Sequence, residues 1–162
     1  MCIRDRYYRV VRYWAKKKYN LTDQDLEILF FIYSERFFTK TKFIDYCKIF
    51  SWDKDRFRNL RKDNWIRSWR AAVDGKYALY EASFKTRRLV SEIYKKLDGT
   101  SPFSERKDQN PIFKRETYTD RRMAGQMVKI NEEMKEKRLS DQEPKEEVKQ
   151  SIFSRTRLDS DD

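Results

Sequence analysis

The sequence predicts a mainly α-helical chain with one small β-hairpin. Apolar residues recur at helical spacing in several separate segments, and an Asp-Gly pair stands between two short runs rich in β-forming residues. The 162 residues also divide by composition: residues 1–97 hold 24 Lys and Arg against 12 Asp and Glu, and 21 of the 25 aromatic residues. A body of that size can bury one small core.

The first two predicted helices supply most of that core. Tyr7–Tyr19 is predicted to be a helix with a basic end. Thr22 is a good N-cap for a second helix from about Asp23 to Glu35, since acidic residues in its first turn suit the helix dipole. Its apolar residues fall at i, i+3, i+4 and i+7, which predicts a central helix; they are Leu26, Leu29, Phe30 and Tyr33.

The next two predicted helices differ in how much apolar surface they can bury. Thr41 is predicted to cap a short helix at Lys42–Ile49, in which Cys47 is expected to be a small core residue. Ser51 is predicted to begin a helix that extends towards Ile66. That stretch holds five basic and three acidic residues and only one inward apolar pair, Phe57 and Leu60, so we expect its other faces to be exposed.

Beyond Ile66 the pattern predicts a hairpin turning at Asp74-Gly75 and then a helix from Ser83 to Leu97. A Pro-containing polar stretch, residues 99–117, is predicted to be a linker. Residues 118–138 are predicted to be a C-terminal helix whose apolar residues form a narrow seam at heptad spacing. The remaining segment, 139–162, is charged and predicted to be disordered.

The N-terminal stretch "MCIRDR", residues 1–6, resembles translated sequencing-adapter read-through. We therefore interpret it as artefactual, expect the natural N-terminus to be missing, and give Cys2 no chemical weight.

The order of elements over residues 7–98 is that of a winged helix-turn-helix domain. A helix that reads DNA must turn one face to its own core and present Arg, Lys and Asn on the other to base edges and phosphates. The segment Ser51–Ile66 fits that requirement, and the hairpin would supply a wing. A net charge of +11 indicates a polyanionic partner, which favours nucleic acid.

Three stretches resemble the MarR family of regulators. "LTDQDLEILFFI" is similar to that family's opening helix, "FSWDKDRFRNLRKDNWI" to its recognition helix, and "YEASFKTRRLVSEIYKKL" to the helix after its wing. Asn64 and Thr86 stand where the family usually has Gly, and the Asp-x-Arg motif of its wing is absent. The resemblance implies a homodimeric transcriptional regulator that binds a pseudo-palindromic double-stranded DNA site. A regulator from a phage or other mobile element would suit so divergent a sequence.

The resemblance also implies the residues that carry these contacts. The DNA-binding set on the recognition helix and wing is Ser51, Trp52, Lys54, Asp55, Arg58, Asn59, Lys62, Arg67, Arg70 and Lys76. The C-terminal helix must dock on its own body or on a second subunit, and the resemblance favours the second. The seam residues expected at that dimer interface are Met123, Met127, Ile130 and Met134.

Other functional classes receive little support. The chain has no His and two Cys, which removes His-based catalysis and makes a zinc site unexpected. We predict no enzymatic activity, no cofactor, no metal and no membrane span, and a cytoplasmic location. The sequence does not identify a small-molecule effector. The alternative is a winged-helix module that binds a protein of a replication or transcription complex.

Overall fold

The computed structural model describes residues 3–73 and 75–140, with side chains from Tyr7 onwards. The protein is mainly helical with one small antiparallel sheet. Its elements in chain order are α1 (Ile3–Tyr19), α2 (Asp23–Ser34), α3 (Lys40–Phe50), α4 (Arg56–Lys62), β1 (Ile66–Arg70), β2 (Leu79–Ala82), α5 (Phe84–Leu97), the 3₁₀ turn η1 (Pro111–Lys114) and α6 (Tyr118–Ser140).

One hydrophobic core joins these elements, and α1, α2 and α5 form its centre. Fully buried apolar side chains from each helix meet there, such as Val11, Leu29 and Leu89. Cys47 is also buried, as predicted, and burial raises the pKa of its thiol. Among the described residues, no helix is long and apolar enough to cross a membrane.

Helix starts follow the capping residues, with one correction. Thr22 caps α2 in a reciprocal box with Asp25, and Ser83 caps α5 by accepting from the Thr86 N–H. The third helix, however, begins two residues earlier than predicted. Thr39 rather than Thr41 is its N-cap, because the Thr39 side chain accepts from the Lys42 N–H at 3.1 Å.

The sheet is a two-stranded hairpin with an additional contact from the chain before α3. Ile66 pairs with Ala82 and Ser68 with Tyr80, and the register shifts between Ser68 and Arg70. Phe38 forms an isolated antiparallel bridge with Tyr80, through two backbone hydrogen bonds of 2.9 and 3.0 Å. This bridge ties the hairpin base to the helical body.

The hairpin closes in a tight turn, as the Asp-Gly pair predicts. Val73 and Lys76 pair with each other, and the Lys76 N–H donates to the Val73 carbonyl at 3.0 Å. Gly75 has φ +74°, a conformation that glycine adopts without steric cost. Asp74 lies outside the described residues.

Residues 99–117 are not a linker lying apart from the body, which corrects the prediction. Phe103, Ile112 and Phe113 are buried in the common core. The Asn131 side-chain amide accepts from the Phe103 N–H at 2.8 Å and donates to its carbonyl at 2.9 Å, so it pairs with this segment as a strand would. Asn110, fully buried, accepts from the Ile112 N–H. Buried apolar side chains and these asparagine hydrogen bonds together hold the segment against the body.

The C-terminal helix packs on its own body, and this overturns the placement of the seam at a dimer interface. All four seam residues are at least nine-tenths buried within the single chain; they are Met123, Met127, Ile130 and Met134. The helix starts from Thr117, whose hydroxyl accepts from the Asp120 N–H, and Asp120 in turn accepts from Tyr13 on α1 at 2.7 Å. The helix extends to Ser140, and the rest of the predicted disordered tail lies outside the described residues.

Candidate functional site

The fourth helix is held at its base and open on its outer side. Phe57 and Leu60 point into the core, as predicted. Arg56, at the first turn, donates from Nη1 to Asp25 at 2.7 Å and to the Thr22 hydroxyl at 2.8 Å. Burial opposes ionisation of Asp25, but hydrogen bonds from Thr22 and Arg56 outweigh it and lower the pKa of that carboxyl. The α2 cap thus fixes the position of α4.

The outer face of α4 presents the residues predicted for it. Asp55, Arg58, Asn59 and Lys62 are all exposed, and the Arg58 side chain is 79% accessible. Successive side chains of a helix turn by 100°, so this set lies opposite the buried pair. Asp55 Oδ1 lies 3.7 Å from Arg58 Nη2, which gives the single carboxylate on this face a basic neighbour.

Ser51 and Trp52 do not begin this helix, which corrects the prediction. Ser51 is the C-cap of α3 with φ +55°, and α4 begins only at Arg56. Trp52 is 7% exposed, and its ring stacks on Phe50 at 4.8 Å between centroids. The backbone N–H of Trp52 donates to the Cys47 carbonyl at 3.0 Å. Trp52 therefore anchors the turn between α3 and α4, and it is too buried to contact a phosphate.

The residues expected on the wing divide into two groups. Arg70 and Lys76 are exposed, and neither forms an ion pair within residues 3–73 and 75–140. Arg67 is different, because its guanidinium binds the buried Glu81 carboxylate at 2.6 Å, which Arg87 binds from the other side. Arg67 is therefore held in place by Glu81, although this single carboxylate is shared with Arg87 and balances only one of the two positive charges.

Two exposed basic residues, Arg61 on α4 and Lys85 next to that helix, are not in the predicted DNA-binding set. Arg61 lies over the ring of Tyr80 at 5.5 Å, on the flank that faces the sheet. Lys85 lies 3.9 Å from the Trp65 ring centroid and donates to the Asp63 carbonyl at 3.1 Å. A helical projection of the segment gives the flank position of Arg61. The place of Lys85 depends on how α5 crosses α4, which the local sequence does not encode.

Lys54, a member of the predicted DNA-binding set, lies in the turn before α4 and is exposed.

Asn64 and Thr86, the two positions at which the sequence departs from the MarR pattern, both have a structural role in this chain. Asn64 has φ +59°, and Asn is one of the few residues that adopts this conformation readily. Thr86 is fully buried, and its hydroxyl donates to the Trp65 carbonyl at 2.5 Å. These substitutions are thus compatible with a tight turn after α4 and with close packing of α5.

The described part of the chain shows no candidate metal centre. It contains no group of three or more Cys, Asp or Glu side chains placed to hold a metal ion. The described acidic residues that are well buried, Asp25, Glu81 and Asp120, each bind a basic or hydroxyl partner from another element.

Comparison with known proteins identifies no relative. No family model, no curated protein and no solved structure matches this chain.

Proposed function

We propose that the protein is a sequence-specific double-stranded DNA-binding transcriptional regulator of winged helix-turn-helix type, similar to the MarR family. The observation that carries the proposal is the two-sided character of α4. One side is buried through Phe57 and Leu60, while the other exposes Arg58, Asn59 and Lys62 together. The hairpin that follows α4 also exposes basic residues.

The chemistry of this surface suits a DNA groove. Arg can bind guanine through two hydrogen bonds, and Asn can bind adenine in the same way. We assign Arg58 and Asn59 to base edges because they lie mid-helix on the outer face. Lys54 and Lys62, near the two ends of α4, are assigned to phosphates, where a point charge is sufficient.

The wing contact rests on Arg70 and Lys76. Both are exposed and free of ion pairs within the described ranges. Arg67 is assigned a structural role because Glu81 already binds it. Arg61 is also assigned to phosphates, since it is exposed on the flank of α4 that faces the sheet.

Selection of bound sites from random duplex DNA, followed by a salt titration on the selected site, tests the proposal. If one subunit neutralises on the order of 4–6 phosphates, affinity should fall by orders of magnitude from low to moderate salt. Lys48→Ala is a matched control, because Lys48 is an exposed lysine on α3, paired with Asp45. Absence of duplex binding at low salt, or a flat salt response, would refute the DNA-binding function.

A homodimer remains part of the proposal, since a two-fold pair would match a pseudo-palindromic site. The methionine seam of α6 is excluded as its interface, because those side chains are buried within one chain. Sedimentation at several protein concentrations measures the oligomeric state directly.

The second candidate function is a protein-binding module of a replication or transcription complex. The observation that favours it is an exposed apolar end of α3, where Ile49 is 69% and Phe50 is 51% accessible. Phe50 stacks between Trp52 and Tyr46, so the patch has a rigid aromatic backing. A chain that fails to bind duplex DNA but loses a protein partner on Ile49→Ser would support this candidate instead.

A further inference from the structure

A second basic surface lies away from α4, in a groove of about 680 Å³. Its walls come from α1, from the C-terminal end of α5 and from the packed segment 99–117. Lys85, beside α4, and Lys96, in the groove, are eleven residues apart on α5, or about 16 Å along the helix axis. One small ligand could not contact both, so the groove is separate from the proposed DNA-binding face.

The groove has a strong excess of positive charge. Five lysines line it against two carboxylates, Glu92 and Asp108, and one of the five, Lys17, is paired with Asp120 outside the lining at 3.4 Å. Glu92 already binds Lys18 at 3.3 Å and accepts from Tyr19 at 3.0 Å, so that carboxylate is engaged. Lys107 and Lys114 form no ion pair within the described ranges. The groove therefore holds lysines whose charge the described protein does not balance.

Lys96 is the feature that generic surface charge does not explain. It is 3% exposed, yet it lines the groove together with the buried Trp14. Its Nζ donates to the Pro102 carbonyl at 2.9 Å and lies 4.7 and 4.6 Å from the ring centroids of Trp14 and Phe103. Within the described residues it has no other hydrogen bond and no carboxylate at ion-pair distance.

A buried ammonium with one neutral acceptor is unfavourable. An ammonium carries three donors, and removing it from water is costly unless an opposite charge compensates. Attraction to the two rings recovers part of that cost. Burial also lowers the pKa of Lys96 to about 8. A ligand anion in the groove would supply the missing acceptor and the missing charge.

We propose that this groove binds a small anion carrying two or more phosphate groups, with Lys96 as its buried anchor. Several lysines from three separate chain segments suit a ligand whose charge is spread over several oxygens. Lysine serves phosphate as a point charge without a fixed fork geometry. The volume is in the range of small-molecule sites. Lys107 and Lys114 would contact the more exposed end of the ligand.

Calorimetric titration of the full chain with sodium pyrophosphate, at constant ionic strength, tests this site. We expect saturable binding with one pyrophosphate per chain. Lys96→Met keeps the length and apolar contacts of the side chain and should weaken binding at least tenfold. Lys107→Ala should weaken it about threefold, and Lys48→Ala should leave it unchanged.

Two results would overturn the proposal: no saturable heat with the wild-type chain, or equal affinity in the Lys96→Met variant. If that variant does not fold, the exposed Lys107→Glu substitution decides, since unchanged affinity there would also contradict the site. If the wild-type chain does not bind pyrophosphate but the groove variants lose duplex DNA binding, the groove belongs to the nucleic-acid surface and the small-anion proposal is rejected. Because none of these residues belongs to α4, failure here leaves the proposed function intact.

Discussion

The buried ammonium of Lys96 should make the stability of the protein rise with pH. Its pKa falls from 10.5 to about 8 on folding, so the unfolded chain binds this proton more tightly than the folded chain does. The resulting penalty is complete below the folded-state pKa and disappears as the pH rises from about 8 to 10.5. Each pH unit corresponds to about 1.4 kcal/mol. Allowing for residual solvent screening, we expect a gain on the order of 2 kcal/mol between pH 7 and 10.

Comparison with Lys96→Met isolates this effect from other titrating groups. Glu92 and Lys18 act on the Lys96 ammonium with opposite signs, and both stay in place in the variant. Urea unfolding at several pH values, in phosphate-free buffer, gives the free energy of unfolding of each protein. The stability of the wild type relative to the variant should stay nearly constant below about pH 8 and then increase up to pH 10. A constant difference over that range would mean that the ammonium is well solvated in the folded protein.

The other predictions concern α4, α6 and the start of α5. Arg58→Ala should cost about 1–3 kcal/mol on the selected DNA site and relax one base position, whereas Lys62→Ala should weaken all sequences alike. Wild-type affinity in both variants, measured by fluorescence anisotropy, would contradict the assignment of the outer face. Met127→Ala should lower the free energy of unfolding by about 2–5 kcal/mol in a urea titration, because the side chain is fully buried. A loss below 0.5 kcal/mol would mean that α6 is only loosely attached. Thr86→Val keeps the shape but removes the bond to the Trp65 carbonyl, and should cost about 1 kcal/mol in the same assay.

The sequence was most informative where periodicity and capping agree. The central helix is the clearest case, since Thr22 and the apolar spacing after it place α2 almost to the residue. The hairpin turn is equally predictable, because a tight turn of this kind needs a positive φ and Gly75 adopts one without steric cost. The outer face of α4 followed from the same reasoning, since only Phe57 and Leu60 could turn inward.

The predictions are wrong where contacts between distant segments of the chain determine the local structure. Ser51 is a typical N-cap residue, yet it ends α3 in a left-handed conformation because burial of Trp52 requires a turn there. The segment 99–117 has the composition of a linker, and no local pattern shows that Phe103 and Ile112 find a place in the core. The heptad spacing of α6 correctly predicts that its seam is buried against another surface. Whether it docks on its own chain or on another cannot be read from one helix, and Met127 is buried within its own chain.

The shared carboxylate of Asp25 has a consequence for recognition. The same side chain closes the first turn of α2 and holds Arg56 of α4, so the two helices cannot be oriented independently. A surface fixed in this way is preorganised, and binding a partner would cost little additional conformational entropy. It also makes α4 sensitive to a change at a residue that no ligand would touch. Substitution of Asp25 would leave Arg56 with only the Thr22 hydroxyl as its acceptor and should alter the angle at which the whole outer face is presented.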